Sequence, residues 1–230
     1  MSWLWPIDFF QKRSYRIPMV FASREDAGQK LGRYLKERGI QADLILGLPR
    51  GGVIVAAEVA HLLTRPLDVL IVRKIGHPWH REFAVGALAE NEVVLLDEAL
   101  IEKNPLIRTE LNEIIEEEKQ RLKTYQASFR HQSLDLSGKA VLLVDDGLAT
   151  GSTTEAAVLS AKKQNASRVL VAAPVASTNA FERLGKVADE IHALWVDPEF
   201  DAVGRYYEVF SQTTDEEVLD LLRAEASRTA

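Results

Sequence analysis

The feature that most constrains the fold is a series of apolar segments that alternate with helical patterns along the chain. The segments "KAVLLVDD" (139–146) and "ASRVLVAAPVA" (166–176) have the apolar character of strands buried on both faces, and "TTEAAVLSAKKQ" (153–164) between them has that of a helix. A strand, a helix and a strand joined in this way form a right-handed parallel unit. We therefore predict an α/β fold with a mostly parallel, doubly wound sheet flanked by helices.

Other segments of the chain extend the same alternation. They are a helix over 23–39, a strand over 42–48, a helix over 53–63, a strand over 67–75, a loop over 76–82, two strands within 83–96 joined by a turn at 90–92, a mostly helical stretch over 97–132, a helix near 177–185, a strand over 190–196 and a final helix over 215–226. The aromatic segment after 196 fits none of these patterns.

The length of 230 residues, with 47% apolar residues, fits one large core with small appendages. We expect an N-terminal arm over 1–20, a core over 21–196 with a helical insertion at about 98–132, and a C-terminal part over 197–230. The opening "MSWLWPIDFF" is too short to span a membrane. We expect this arm to pack on the core or on a second subunit, and an amphipathic membrane-surface segment is the less favoured alternative.

Composition argues against several classes of partner. The formal net charge is -6, so the chain as a whole does not attract nucleic acid or anionic membranes, and we expect neither as a partner. There are no cysteines, which excludes disulfides and thiolate zinc sites and is consistent with the cytoplasm, where we expect the protein.

Two adjacent acids, Asp145 and Asp146, end one predicted strand and precede a loop of small residues and hydroxyls over 147–154. At the start of a helix such a loop can bind a phosphate group, although a capped turn is an equally simple explanation of it. Two carboxylates would repel a bare anion, so the ligand must offer them a vicinal diol or a divalent cation. A ribose 5-phosphate carries both the phosphate and the diol.

The whole segment "VLLVDDGLATGST" (141–153) resembles the phosphoribosyl pyrophosphate (PRPP) motif of type I phosphoribosyltransferases, and the chain is most similar to their stand-alone, uncharacterised members. The resemblance implies that Asp145 and Asp146 bind the ribose hydroxyls and Mg²⁺, directly or through water. It also implies that the 5-phosphate is bound by Ala149, Thr150, Gly151, Ser152 and Thr153.

Two further loops have a place in this resemblance. "LPRGG" (48–52) corresponds to a pyrophosphate loop, in which Arg50 supplies charge while Gly51 and Gly52 let the backbone approach an anion. The region over 73–82 corresponds to a mobile loop that closes over the site, and there Arg73 and Lys74 are expected to meet pyrophosphate. A plain turn and an exposed hairpin loop are the respective alternatives.

The histidines of the second loop, His77 and His80, have no third ligand nearby in the sequence, so a zinc site is not favoured.

The segment "PEFDAVGRYYEVF" (198–210) is similar to the hood that holds the acceptor in this family. The implied acceptor residues are Phe200 and Val203, although the spacing departs by one residue from the purine-type pattern. The aromatic residues of this segment can instead seal the small lobe against the core.

The resemblance implies transfer of a 5-phosphoribosyl group from PRPP to a nitrogen acceptor, a nucleobase or similar heterocycle, with Mg²⁺ as cofactor and release of pyrophosphate. The implied catalytic residues are Asp145, Asp146, Arg50 and Lys74. The alternative is a non-catalytic sensor that binds PRPP or a nucleotide and regulates a partner. We further expect a homodimer, with contacts through the aromatic arm and the acidic helix.

Overall fold

A computed structural model describes residues 20–102, 105–130 and 134–229 of the chain. The predicted N-terminal arm lies outside these residues, except for Val20. The helices are Arg24–Glu37 (α1), Gly51–Leu63 (α2), Glu98–Glu102 (α3), Pro105–Phe129 (α4), Ser152–Lys163 (α5), Thr178–Leu184 (α6) and Asp215–Thr229 (α7). The strands are Leu44–Gly47 (β1), Leu67–Val69 (β2), Val72–His77 (β3), His80–Ala89 (β4), Val93–Leu96 (β5), Ala140–Val144 (β6), Arg168–Ser177 (β7) and Glu190–Asp197 (β8).

The main sheet has the strand order β2-β1-β6-β7-β8, and all four neighbouring pairs are parallel. Successive side chains of β6 point to opposite faces of the sheet. Val141 and Leu143 pack in a core cluster with residues of α5 and α6, whereas Leu142 and Val144 pack with residues of α1 and α2. Helices therefore cover both faces, which confirms the predicted doubly wound, mostly parallel fold.

The segment 67–75 forms two strands, which corrects the prediction of one. β2 ends the main sheet, while β3 joins an antiparallel sheet of order β3-β4-β5. The change occurs where Leu70 donates its N–H to the Gly47 carbonyl at 3.2 Å, and Ile71 instead donates to the Glu90 carboxylate at 2.9 Å. A side chain thus replaces the neighbouring strand as the acceptor and the chain leaves the main sheet.

The predicted loop over 76–82 is mostly strand. β3 continues to His77 and β4 begins at His80, so that these two residues pair and only Pro78 and Trp79 form the tip. Two aromatic rings meet at the tip, where the centroids of the His77 and Trp79 rings are 5.5 Å apart. The apolar run after it extends the second strand of the hairpin.

The residues around the C-terminal aromatic segment close one end of the main sheet. Phe21 donates its N–H to the Tyr206 carbonyl at 2.8 Å, and Glu208 donates back to the Phe21 carbonyl at 2.8 Å. Tyr206 and Tyr207 are buried with Phe21 and Val175 in one cluster. Tyr206 and Tyr207 therefore seal this segment against the core, the role that the alternative explanation gave to all its aromatic residues.

No helix in the described part of the chain is long and apolar enough to cross a membrane.

Candidate functional site

The loops after β1 and β6 meet because these neighbouring parallel strands end at the same edge of the sheet. Gly51 and Gly52 lie directly against the acid pair. A Cβ atom on Gly52 would lie 2.8 Å from the Val144 carbonyl oxygen and 2.9 Å from Asp145 Cα, and one on Gly51 would overlap the Asp146 carboxylate. Only glycine fits at these two positions, and the structure brings the two predicted loops together.

The two carboxylates of the pair have different surroundings. The Asp146 N–H donates to Asp145 Oδ1 at 2.9 Å. Burial of the Asp145 carboxyl, and then the neighbouring charge of Asp146, raise the pKa of Asp145 well above its ordinary value. Asp145 therefore holds a proton more strongly than an exposed aspartate would.

Asp146 is held by residues that the sequence analysis did not identify. Arg24, the first residue of α1, donates from Nε to Asp146 Oδ2 at 2.7 Å and from Nη1 to the Ser211 carbonyl at 2.7 Å. The Tyr207 hydroxyl donates to the Asp146 carbonyl at 2.5 Å. A signal for Arg24 existed in the sequence, because a cation in the first turn of a helix opposes the helix dipole and calls for an anionic partner.

The predicted 5-phosphate loop leads into α5. Gly151 is the N-cap, with a φ of 75° that favours glycine, and it provides no capping side chain. The hydroxyls of Thr150 and Ser152 lie 3.0 Å apart, and Ser177 fixes the loop by donating from Oγ to the Ala149 carbonyl at 2.6 Å. The first N–H groups of α5 can therefore bind an anion.

Arg50 lies on the other side of the acid pair, after a cis peptide bond between Pro49 and Arg50. Its Nη1 is 3.8 Å from Asp215 Oδ1 at the start of α7, and the Tyr125 hydroxyl donates to the same oxygen at 2.6 Å. Arg50 shares a cleft of about 370 Å³ with Arg24, and the cleft continues along 210–213. Of the two guanidinium groups at this cleft, that of Arg24 is engaged by Asp146 and Ser211, so Arg50 is the one placed to bind an anion.

Arg73 and Lys74 are neighbours on β3 and point to opposite faces of the small sheet. Arg73 donates from Nε to Glu118 Oε2 on α4 at 2.5 Å. Lys74 is exposed and pairs across the sheet with Ala87, which packs in a cluster with Ala156 of α5. Of these two residues, Lys74 therefore lies on the sheet face that packs against α5.

The two predicted acceptor residues have different neighbours, and only Val203 is seen to pack on the loop that follows the acid pair. A Cβ atom on Gly147 would lie 2.6 Å from Val203 Cγ1, so Val203 packs directly on this loop. Phe200 stacks on Tyr206, with 5.3 Å between the ring centroids and 23° between the ring planes. The segment that begins at 197 is thus joined to the acid loop by packing.

The chemistry of the acid pair also bears on the expected Mg²⁺. Within the described residues no group of three or more His, Cys, Asp or Glu side chains is placed to hold a metal ion. Mg²⁺ often takes only one or two carboxylates and completes its shell with water and phosphate oxygens of a substrate. Asp145, together with Asp146 Oδ1, which is not the oxygen bonded to Arg24, fits an ion held jointly with a ligand.

Comparison with known proteins gives a consistent family. The family pattern described as the phosphoribosyl transferase domain matches residues 22–193. A Mycobacterium tuberculosis protein, Rv0571c, provisionally named a phosphoribosyl transferase, is 38% identical over 205 residues, which make up 88% of this chain and 46% of that protein. This chain therefore spans less than half of that relative's length.

Two other proteins extend the comparison. Ribose-phosphate pyrophosphokinase of Pyrococcus furiosus is 33% identical over 190 residues, which make up 79% of this chain and 66% of that enzyme. TT1426 from Thermus thermophilus, which has a crystal structure, is 40% identical in sequence to this chain. The two structures have a TM-score of 0.74, and the match covers 89% of this chain and 98% of that one. Since the family pattern covers most of the chain, the protein belongs to the phosphoribosyl transferase domain family.

Proposed function

We propose that this protein transfers a 5-phosphoribosyl group from PRPP to a nitrogen of a small heterocyclic acceptor and releases pyrophosphate. The observation that carries the proposal is the acid pair, Asp145 and Asp146, which lies between the open N-terminus of α5 and the Gly51–Gly52 loop. PRPP has a matching order of groups: a phosphate, a vicinal diol and a pyrophosphate.

In this proposal the loop over 149–153 binds the 5-phosphate through backbone N–H groups and hydroxyls. Asp145 and Asp146 receive the ribose hydroxyls. The pyrophosphate lies along Gly51 and Gly52, where the backbone permits close approach, with Arg50 on one side. Lys74, exposed on the α5 side of the hairpin, approaches from the other.

The chemical step requires no protein nucleophile. The bond between ribose C1 and the pyrophosphate oxygen breaks with its electron pair leaving on pyrophosphate, and the acceptor nitrogen supplies the pair for the new C1–N bond and then loses its proton to water. Arg50 and Lys74 stabilise the negative charge that develops on the leaving group, and the loops fix both ends of the donor. When bound, Mg²⁺ would neutralise part of the pyrophosphate charge.

In this proposal the hairpin of β3 and β4 covers the donor, and its closure would keep water from the reactive ribose. We place the acceptor beside Phe200 and Val203, because Val203 packs on the loop that follows the acid pair. A planar heterocycle could gain about 1–3 kcal/mol by stacking on an aromatic ring such as Phe200.

Titration calorimetry with PRPP and Mg²⁺ tests the donor site. We expect the wild type to bind, and the double variant Asp145→Asn with Asp146→Asn to lose at least tenfold in affinity, because it removes both carboxylates from the diol. Asp220→Asn is the matched control, since Asp220 is an exposed aspartate paired with Arg223 on α7. Equal affinity in the double variant and the wild type would refute the ribose assignment.

Pyrophosphate release in the presence of PRPP, with purines, pyrimidines and pyridine carboxylates as acceptors, tests catalysis. Release with one class of acceptor, lost in the double variant, is the expected result. Tight binding of PRPP without release for any acceptor would instead identify the protein as a sensor.

A further inference from the structure

Arg24 contacts four parts of the chain around the acid pair. It is the first residue of α1, and its side chain is only 9% exposed. Its guanidinium contacts Asp146 after β6, the Ser211 carbonyl and the ring of Phe210, while Gly51 of the pyrophosphate loop lies beside it. None of the motifs in the sequence includes this residue.

The contacts fix the guanidinium in a single orientation. Nε is bonded to Asp146 Oδ2 and Nη1 to the Ser211 carbonyl, both at 2.7 Å, and the Phe210 ring covers one face, with 3.9 Å between Cζ and the ring centroid. A planar guanidinium can satisfy two acceptors in different directions while it stacks on a ring. A lysine at this position has one nitrogen and cannot reproduce all three contacts.

The orientation of Arg24 also determines that of the Asp146 carboxylate. Oδ2 is engaged by Nε, and Tyr207 holds the backbone of Asp146 through its carbonyl. The absence of a Cβ atom at Gly51 is necessary here, because such an atom would overlap Asp146 Oδ2 and lie 2.6 Å from Arg24 Nε. Arg24 and Tyr207 together thus fix both Oδ2 and the backbone of Asp146.

We infer that Arg24 is a positioning residue for the donor site: it holds Asp146 in the orientation that receives the ribose hydroxyls and links that orientation to the segment 210–211. This inference rests on the proposed function, since the ligand of Asp146 is taken to be the ribose of PRPP. Its consequence is that changes at Phe210, outside the acid loop, alter donor binding through Arg24.

The test compares PRPP affinities in the presence of Mg²⁺, measured by calorimetry, for Arg24→Lys, Asp146→Asn and the double variant. We expect Arg24→Lys to weaken binding by roughly 10- to 100-fold, the range for a lost hydrogen bond to a charged group. Arg33→Lys is the matched control, because Arg33 is an exposed arginine on the same helix. Its affinity should equal that of the wild type.

The double variant distinguishes a role of Arg24 in positioning Asp146 from a purely structural role of Arg24. If Arg24 acts through Asp146, Arg24→Lys should cost little further affinity once Asp146 is Asn, because the group that it positions is already altered. Full additivity of the two losses overturns the inference, as does wild-type affinity in Arg24→Lys.

Phe210→Leu provides a second measurement if Arg24→Lys does not fold. Phe210 is 41% exposed, so its replacement should be tolerated, and it leaves the ion pair in place while removing the ring that covers Arg24. We expect a loss of several-fold in PRPP affinity, and unchanged affinity contradicts the inference. Failure of the wild type to bind PRPP is a different result, since it overturns the proposed function and this inference with it.

Discussion

At the scale of single residues, Asp145 and Asp146 are adjacent in sequence but differ in their environment. Asp146 accepts a hydrogen bond from the guanidinium of Arg24 at 2.7 Å, whereas Asp145 accepts the backbone N–H of Asp146 and loses solvation through burial. Neighbouring carboxyls in different environments can take different protonation states at one pH. We therefore expect the two residues to contribute differently to stability as well as to binding.

Replacement of Asp145 by Asn should raise the thermal stability of the metal-free protein at neutral pH. The folded-state pKa of Asp145 is raised, so the stability that its protonated form contributes is complete below the unfolded-state pKa and is lost as pH rises through the folded-state pKa. Asn has no proton to lose. The gain in melting temperature of Asp145→Asn should therefore be small near about pH 4 and increase towards neutral pH.

Thermal denaturation of both proteins across this pH range, in buffer with a chelator, measures the effect. Asp220→Asn is the control and should follow the wild type. A gain that is largest in acid would contradict the raised pKa.

At the scale of elements, the β3–β4 hairpin separates two neighbouring cations. Arg73 faces α4, where its partner Glu118 is 5% exposed and also pairs with Arg121. Lys74 faces the side of α5 and is exposed. Since strand side chains alternate between faces, Arg73 is placed to stabilise the packing of α4, and we propose that Lys74 reaches the ligand.

Replacement of each cation by methionine should therefore change a different property, stability for Arg73 and PRPP affinity for Lys74. Arg73→Met removes a partner of the buried Glu118 and should lower the free energy of unfolding by about 1 kcal/mol. Lys74→Met should leave that free energy unchanged, within about 0.5 kcal/mol for an exposed site, and weaken PRPP binding. Urea denaturation and calorimetry measure the two quantities.

The opposite pattern, in which Arg73→Met lowers affinity without a loss of stability, would mean that Arg73 leaves Glu118 to bind the donor.

The same hairpin shows why the sequence predicted some elements and not others. The pattern of 67–75 is a continuous apolar run, and nothing local in it indicates that the Ile71 N–H donates to the Glu90 side chain. Residues 76–82 contain glycine, proline and charges that are typical of a loop, yet the pairing of His77 with His80 makes nearly all of them strand. The first segment is decided by a side chain elsewhere in the chain, and the second by pairing with the strand that follows it.

At the scale of the whole molecule, the residues directly before α1, Phe21 and Ala22, pair with the segment after β8 close to the acid pair. Phe21 bonds to the backbone of 206–208, and the Tyr207 hydroxyl reaches the Asp146 carbonyl. The segment at Phe21 and the segment 206–208 are thus joined to each other and, through Tyr207, to the loop that follows β6. Changes in the C-terminal segment should consequently alter the affinity of the donor site for its ligand.

Tyr207→Phe should reveal this connection. The change leaves the ring in its cluster and removes one buried hydrogen bond, so we expect the free energy of unfolding to fall by about 1 kcal/mol. PRPP affinity should also fall, because the backbone of Asp146 is less firmly held. Urea denaturation and calorimetry are the measurements.

Tyr34→Phe is the control for Tyr207→Phe, since it keeps the ring that lies under Arg38. A loss of stability in Tyr207→Phe with unchanged affinity would show that the C-terminal segment is not coupled to the donor site.

The sequence by itself determined the alternation of strands and helices, the acid pair and the small-residue loops beside it. These features depend on periodicity and composition over short stretches, which local residues set. Only the tertiary structure decided that β3 leaves the main sheet, that Arg73 and Lys74 diverge, and that Arg24 holds Asp146, 122 positions away in the chain. Such contacts arise from the packing of distant elements. A pattern within one segment does not indicate which distant side chain will contact it.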